Sequence, residues 1–194
     1  MQASLAKSTL LVAYLFLVQV IVSGCATLPE FLGGSADIEF ELEGRAAVRY
    51  GDEGGSTRIA WRHGASSDDM LITGPLGQGI ARIARRRGDV SLTTAEGKEY
   101  RAADAESLTE SVLGWRLPLT GMPDWVRGRA AASRPARVER DEQGNAKDIQ
   151  QDQWRIEYLA WNGALPSRMT LSHDGARGRV ELRIIIDQWK KAPQ

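Results

Sequence analysis

One cysteine, two histidines and no surplus of either charge leave this chain of 194 residues few chemistries to choose from. A single thiol cannot close an internal disulfide, so an exported form would depend on its core for stability. His63 and His173 lie far apart in the sequence with no cysteine cluster beside them, which argues against a zinc site. Basic and acidic side chains number 25 each, so there is no overall basic field for nucleic acid and no acidic tail. No serine occupies a nucleophile elbow. The segment Gly74-Pro75-Leu76-Gly77-Gln78-Gly79 has neither the lysine nor the following helix that a phosphate loop needs. Internal repeats, low-complexity tracts and energy-coupling motifs are missing too. No enzyme, metal or cofactor is expected.

The strongly apolar run that is present lies at the start. Lys7 supplies a positive flank, and Leu10 to Val22 are apolar except for Gln19. That run is shorter than the ~20 residues needed to span a bilayer, so it reads as a cleaved signal. It ends in Val22-Ser23-Gly24-Cys25, which resembles a bacterial lipobox, with Cys25 as the lipidated residue. The expected organisation is a signal peptide over 1–24, a lipidated N-terminus and tether over 25–37, and one domain over 38–194. Pro29 and Gly33-Gly34 give the tether its character.

From Ile38 to Tyr50 every even position is apolar or glycine: Ile38, Phe40, Leu42, Gly44, Ala46, Val48 and Tyr50. The odd positions are Glu39, Glu41, Glu43, Arg45, Ala47 and Arg49, so the spacing predicts a long strand with one buried face. Further strands are predicted near 56–63, 70–73, 79–85, 90–94 and 98–102, separated by glycine turns. Asp104 can cap a helix over 105–113, and Pro123 can start a brief one over 123–127. Strands resume over 136–140, 146–150, 154–161, 168–173 and 179–189. These elements predict a mainly β fold with a helical insert. It would be an open, incomplete antiparallel β-barrel of about ten or eleven strands, covered by a helical lid and enclosing a hydrophobic cavity.

The cavity candidates follow from the alternation. Phe40, Leu42 and Val48 on the first strand should face Val180, Leu182, Ile184 and Ile186 on the last. Ile59, Trp61, Ile72, Trp154, Ile156 and Tyr158 extend that face. Alternation alone does not distinguish a filled core from a ligand cavity. Asp68-Asp69 reads as a solvated loop pair, and Arg85-Arg86-Arg87 as a solvated strand end. Leu76 lies in a tight turn between strands, where it would project into solvent and bury nothing.

Taken in order, these residues resemble the LolB family, the outer-membrane lipoprotein receptors of the lipoprotein localisation pathway. The resemblance covers nearly all of the chain after Cys25. It is carried by Phe40-x-Leu42-x-Gly44-Arg45-x-Ala47-Val48, the Trp61 strand, Pro75-Leu76-Gly77, Ala103-Asp104-Ala105-Glu106 and Gly114-Trp115-x-Leu117-Pro118-Leu119. It continues in Trp125-Val126-x-Gly128, Gln151-Asp152-x-Trp154, Leu165-Pro166-x-Arg168 and Ile186-Asp187-x-Trp189. The resemblance implies a lipid-anchored monomer on the periplasmic side of the outer membrane. Such a protein takes client lipoproteins from a LolA-type periplasmic carrier, holds their acyl chains and inserts them into outer-membrane lipid. The family's matching loop is credited with membrane insertion, which implies that role for Leu76. Ala26, directly after the cysteine, fits outer-membrane sorting. The alternative from the residues themselves is a lipid-anchored structural or assembly-factor protein with a filled β core.

Overall fold

The computed structural model describes residues 38–193 except 87, 114–115, 176–177 and 192. The predicted signal, Cys25 and the tether lie outside the described residues, as do Gly114-Trp115 and Arg87. The first run of strands is β1 (Ile38–Tyr50), β2 (Glu53–Gly64), β3 (Ser67–Thr73), β4 (Gly79–Arg86), β5 (Asp89–Thr94) and β6 (Glu99–Ala102). Helices α1 (Ala105–Leu113) and α2 (Met122–Trp125) follow. The second run is β7 (Ala136–Arg140), β8 (Ala146–Gln151), β9 (Trp154–Asn162), β10 (Leu165–Gly175) and β11 (Gly178–Lys191).

All eleven strands form one antiparallel sheet in the order β6-β5-β4-β3-β2-β1-β11-β10-β9-β8-β7. Each neighbour is also a neighbour in sequence, except the central pair β1 and β11. Two meanders are thus joined through the first and last strands, and β6 and β7 remain unpaired with each other at the two edges. The sheet is open.

The period-two reading of β1 holds most clearly over its first half, and Ala46, Val48 and Tyr50 beyond it are half-buried. Phe40, Leu42 and Gly44 are buried, while Glu39, Arg45 and Arg49 are exposed. On β11 the buried residues are Val180, Leu182, Ile184 and Ile186. The register sets Leu182 opposite Val48 and Ile184 opposite Ala46. Asp104 caps α1 as predicted, its Oδ1 accepting from the Ser107 amide at 2.7 Å.

Two sequence readings are corrected. Strand β3 begins at Ser67, so Asp68 and Asp69 belong to it and are buried. Their register opposite His63 and Arg62 carries them into the sheet. The arginines of the neighbouring strand make that burial tolerable: Arg85 donates to Asp68 at 2.5 Å, and Arg82 pairs with both oxygens of Asp69. Arg85 and Arg86 are therefore partners of buried carboxylates rather than a solvated end.

Gly44 on β1 lies directly against the backbone of β11. The β1–β11 register shifts beside it, and a Cβ at this position would overlap the backbone carbonyl oxygen of Ile185. Backbone cannot step aside as a side-chain tip can. Gly44→Ala should therefore lower stability by about 1–3 kcal/mol, measured as an earlier thermal melt.

Candidate functional site

The inner face of the sheet is packed differently along its length. At the start of β1, the Phe40 ring lies 5.0 Å from Trp61, 4.8 Å from His63 and 5.5 Å from Trp189, centroid to centroid. Beneath this aromatic group, Asp68 Oδ1 accepts from Trp61 Nε1 at 3.0 Å and lies 2.6 Å from His63 Nδ1. Burial alone would push the Asp68 carboxyl up. The hydrogen bond from His63, with the charges of His63 and Arg85, outweighs burial and holds it below its ordinary value. Arg127, just after α2, spans 3.0 Å to Glu39 and lies 5.3 Å over the Phe40 ring. This end is filled and polar-stapled.

The insert is fixed over the second meander by groups whose hydrogen bonds are satisfied. Gln151 is buried on β8; its Oε1 accepts from Trp125 Nε1 at 2.8 Å and from the Ala131 amide at 2.9 Å. Its Nε2 donates to the carbonyls of Ala131 and Arg134. Tyr158 donates its hydroxyl to the Trp125 carbonyl at 2.8 Å, and burial pushes its ionisation up. Buried Thr109 on α1 accepts from the Leu117 amide at 2.9 Å, which ties α1 to the segment before α2. These bonds position two insert side chains, Leu117 and Met122.

Those two side chains close over an apolar pocket of about 200 Å³ at the other end of the first meander. Its buried floor includes Ile59, Met70, Ile83, Leu92, Leu182 and Ile184. Its partly open side is formed by Ala46, Val48, Thr57, Ile72 and Ala81, with Ile80 exposed at 41%. Thr57 is the sole polar side chain among the lining residues.

Of the predicted cavity residues, Val48, Ile59, Ile72, Leu182 and Ile184 line this pocket. Phe40, Leu42, Trp61, Ile156, Val180 and Ile186 are buried in the packed core and do not border it. Tyr158 lies under the insert, and Trp154 stacks on His173 at 5.2 Å in a separate polar concavity. Sequence reasoning missed Met70, Ile83 and Leu92. Extending the period-two alternation to β3, β4 and β5 would have found them, since each faces the same side as a predicted residue. Leu117 and Met122 carry no such periodic signal.

Leu76 stands at the turn between β3 and β4, at the pocket's open end. The Gly77 amide donates to the Gly74 carbonyl at 2.9 Å and the Gly74 amide to the Gln78 carbonyl at 2.8 Å. Gly77 has φ +84°, which glycine adopts without strain. Leu76, at the tip, is 94% exposed. Ile72 precedes the tip and Ile80 follows it, and both line the pocket. Among the described residues, no group of His, Cys, Asp and Glu side chains is assembled to hold a metal ion.

An open antiparallel sheet, filled at one end and hollow at the other, with a leucine held out beside the hollow, defines an open-sheet protein with an apolar pocket. Comparison with known proteins gives the family. Residues 38–189 match the family model described as outer membrane lipoprotein LolB. The chain is 35% identical to the outer-membrane lipoprotein LolB of Dechloromonas aromatica over 189 residues, 92% of this chain and 97% of that one. It is 35% identical to the protein of the same name from Thiobacillus denitrificans, over 89% of this chain and 93% of that one. Among solved structures, a LolA superfamily protein from Nitrosomonas europaea is similar over 83% of this chain and 88% of that one, at 12% identity and a TM-score of 0.48. The chain belongs to the LolB family.

Proposed function

We propose that this protein is a lipid-anchored receptor of the outer membrane that accepts lipoproteins from a LolA-type periplasmic carrier and inserts them into the membrane. Residues 1–24 act as the signal peptide, Cys25 carries the lipid, 25–37 form the tether, and 38–194 form the receptor domain, which works as a monomer. The client's acyl chains enter beneath the lid made by the helical insert. The single observation that carries this reading is the apolar pocket ending beside an exposed leucine. A route from protein interior to bilayer needs those two features side by side.

The pocket's size bears on the mechanism. About 200 Å³ is below the roughly 300–1,000 Å³ of sites that enclose drug-sized ligands. It takes part of one acyl chain as it stands, so receiving a client requires the lid to lift or the sheet to spread. A sheet whose edges β6 and β7 are unpaired can spread without breaking ladder bonds. Each buried CH₂ contributes about 0.8 kcal/mol. Acyl chains therefore pass downhill to whichever site covers more of them, and last to the bilayer, with no nucleotide or catalytic step.

The test combines transfer with position. Client should move from a loaded LolA-type carrier to this protein, and a photo-crosslinker at Val48 or Ile184 should capture its acyl chains. The same crosslinker at Arg183, on the outer face, should capture none. Equal labelling at both faces, or no transfer, would overturn the receptor reading in favour of a filled structural domain.

A further inference from the structure

The outer face of the sheet carries a second concavity, back to back with the apolar pocket and touching the same turn. It measures about 390 Å³ and is lined by Arg45, Arg58, Arg183, Ser56, Pro75 and Ile185, among others. The register explains why the arginines gather. Arg45 and Arg58 are direct cross-strand partners, Arg45 faces Ile185 across the β1–β11 pair, and Ile185 faces Arg168 on β10. Like charges directly opposite each other destabilise a sheet, and here Asp187 offsets part of the repulsion between Arg45 and Arg58. Asp187 pairs with Arg45 at 2.7 Å, and Glu181 pairs with Arg183 at 2.7 Å. The hydrogen bond from Arg45, with the charges of Arg45 and Arg58, outweighs burial and holds the Asp187 carboxyl below its ordinary value, so Arg58 shares that carboxylate at longer range. Three guanidinium groups line the concavity against the two carboxylates Asp187 and Glu181, and the balance is positive by one charge. Pro75, next to the exposed Leu76, forms part of the same rim.

We propose that this concavity binds the phosphodiester of a membrane phospholipid headgroup, with Arg58 as its principal contact, while the neighbouring tip enters the acyl layer. Guanidinium groups fit phosphate oxygens in a two-pronged geometry. The apolar floor, Ala47 and Ile185, suits the glycerol end of a lipid better than it suits a wholly charged ligand. The position beside Pro75 and Leu76 decides between a lipid and an acidic protein surface: a bilayer that receives the leucine brings its phosphates to the height of this concavity. The two faces of one sheet then divide the work, with the inner face holding acyl chains and the outer face setting the domain's orientation on the membrane. This rests on the receptor reading above only for the presence of a membrane beside the tip.

The experiment uses the mature, lipid-anchored protein in vesicles of phosphatidylethanolamine, alone or mixed with phosphatidylglycerol. A fluorophore on Ser56→Cys, inside the concavity, is quenched by a nitroxide-headgroup lipid when the outer face docks. Quenching should rise with phosphatidylglycerol and fall with salt. Arg58→Ala should lower the docked-to-free ratio by about fivefold, from the loss of one cation near an anionic surface. Arg58 is exposed, so this variant should melt like its parent. The proposal is overturned if Arg58→Ala docks like its parent. It is equally overturned if only an acidic polypeptide, and no phospholipid vesicle, shields the fluorophore. Loss of docking in Leu76→Glu but not in Arg58→Ala would remove this proposal and leave the receptor reading standing. Arg58-dependent docking without client transfer would do the reverse.

Discussion

Leu76→Glu should accept client from the carrier nearly as well as the wild type and then fail to deliver it to liposomes. The leucine is 94% exposed at the tip of a turn held by its own backbone hydrogen bonds, so replacing it disturbs no packing. The change in folding stability should stay within about 0.5 kcal/mol. Delivery is another matter. Leucine entering the bilayer gains roughly 1.5–3 kcal/mol, while an acidic side chain there costs about 2.5–3.5 kcal/mol. The swing is at least about 4 kcal/mol, or roughly a thousandfold in the population of the inserted tip. Purified carrier, receptor and liposomes allow the two steps to be measured separately. Delivery at the wild-type rate would show that the tip is only a turn.

Asp68→Ala should cost about 3–5 kcal/mol of stability, the usual penalty for breaking a buried, hydrogen-bonded charge pair. The substitution leaves buried His63 and Trp61 Nε1 without their acceptor and takes a partner from Arg85. It also loosens the end of the sheet that the aromatic group around Phe40 fills. Acid should mimic the mutation. The Asp68 carboxyl is held below its ordinary value in the folded protein, so its contribution is fully present above the unfolded value of 3.8. As pH falls through the folded value, that contribution is lost. Melts of wild type and Asp68→Asn across this window should converge at the acid end. Parallel curves would mean that Asp68 contributes nothing through its charge.

The two variants act at opposite ends of the same strands. Asp68 lies at the start of β3 and Leu76 just beyond its end. Loosening the Asp68 end should lower stability without touching delivery at temperatures where the protein remains folded. Changing the tip should do the opposite.

Several features were fixed by local chemistry and are readable in the sequence. The thirteen residues of β1 emerge from strict alternation, because a half-buried strand repeats every two residues. The cap at Asp104 and the glycine-bounded turn carrying Leu76 depend on a few consecutive residues, and both are legible for that reason. The same alternation groups Phe40 and Leu42 on β1 and Val180, Leu182, Ile184 and Ile186 on β11, and these side chains are buried.

Tertiary structure decided what depends on partners distant in sequence. The sequence shows two adjacent carboxylates at Asp68-Asp69 and a run of arginines some fifteen residues later, each of which alone looks solvated. Only the pairing of β3 with β4 brings them together and makes their burial tolerable. Inward-facing side chains likewise have one periodicity whether they are packed or line a hollow. Phe40 and Leu42 are in the filled part because Trp61, Trp189 and the insert reach them, whereas Val48 and Ile184 border the pocket beneath Leu117 and Met122. Alternation sets which face a residue takes; the reach of a non-periodic insert, anchored through Gln151 and Tyr158, sets how much of that face is covered.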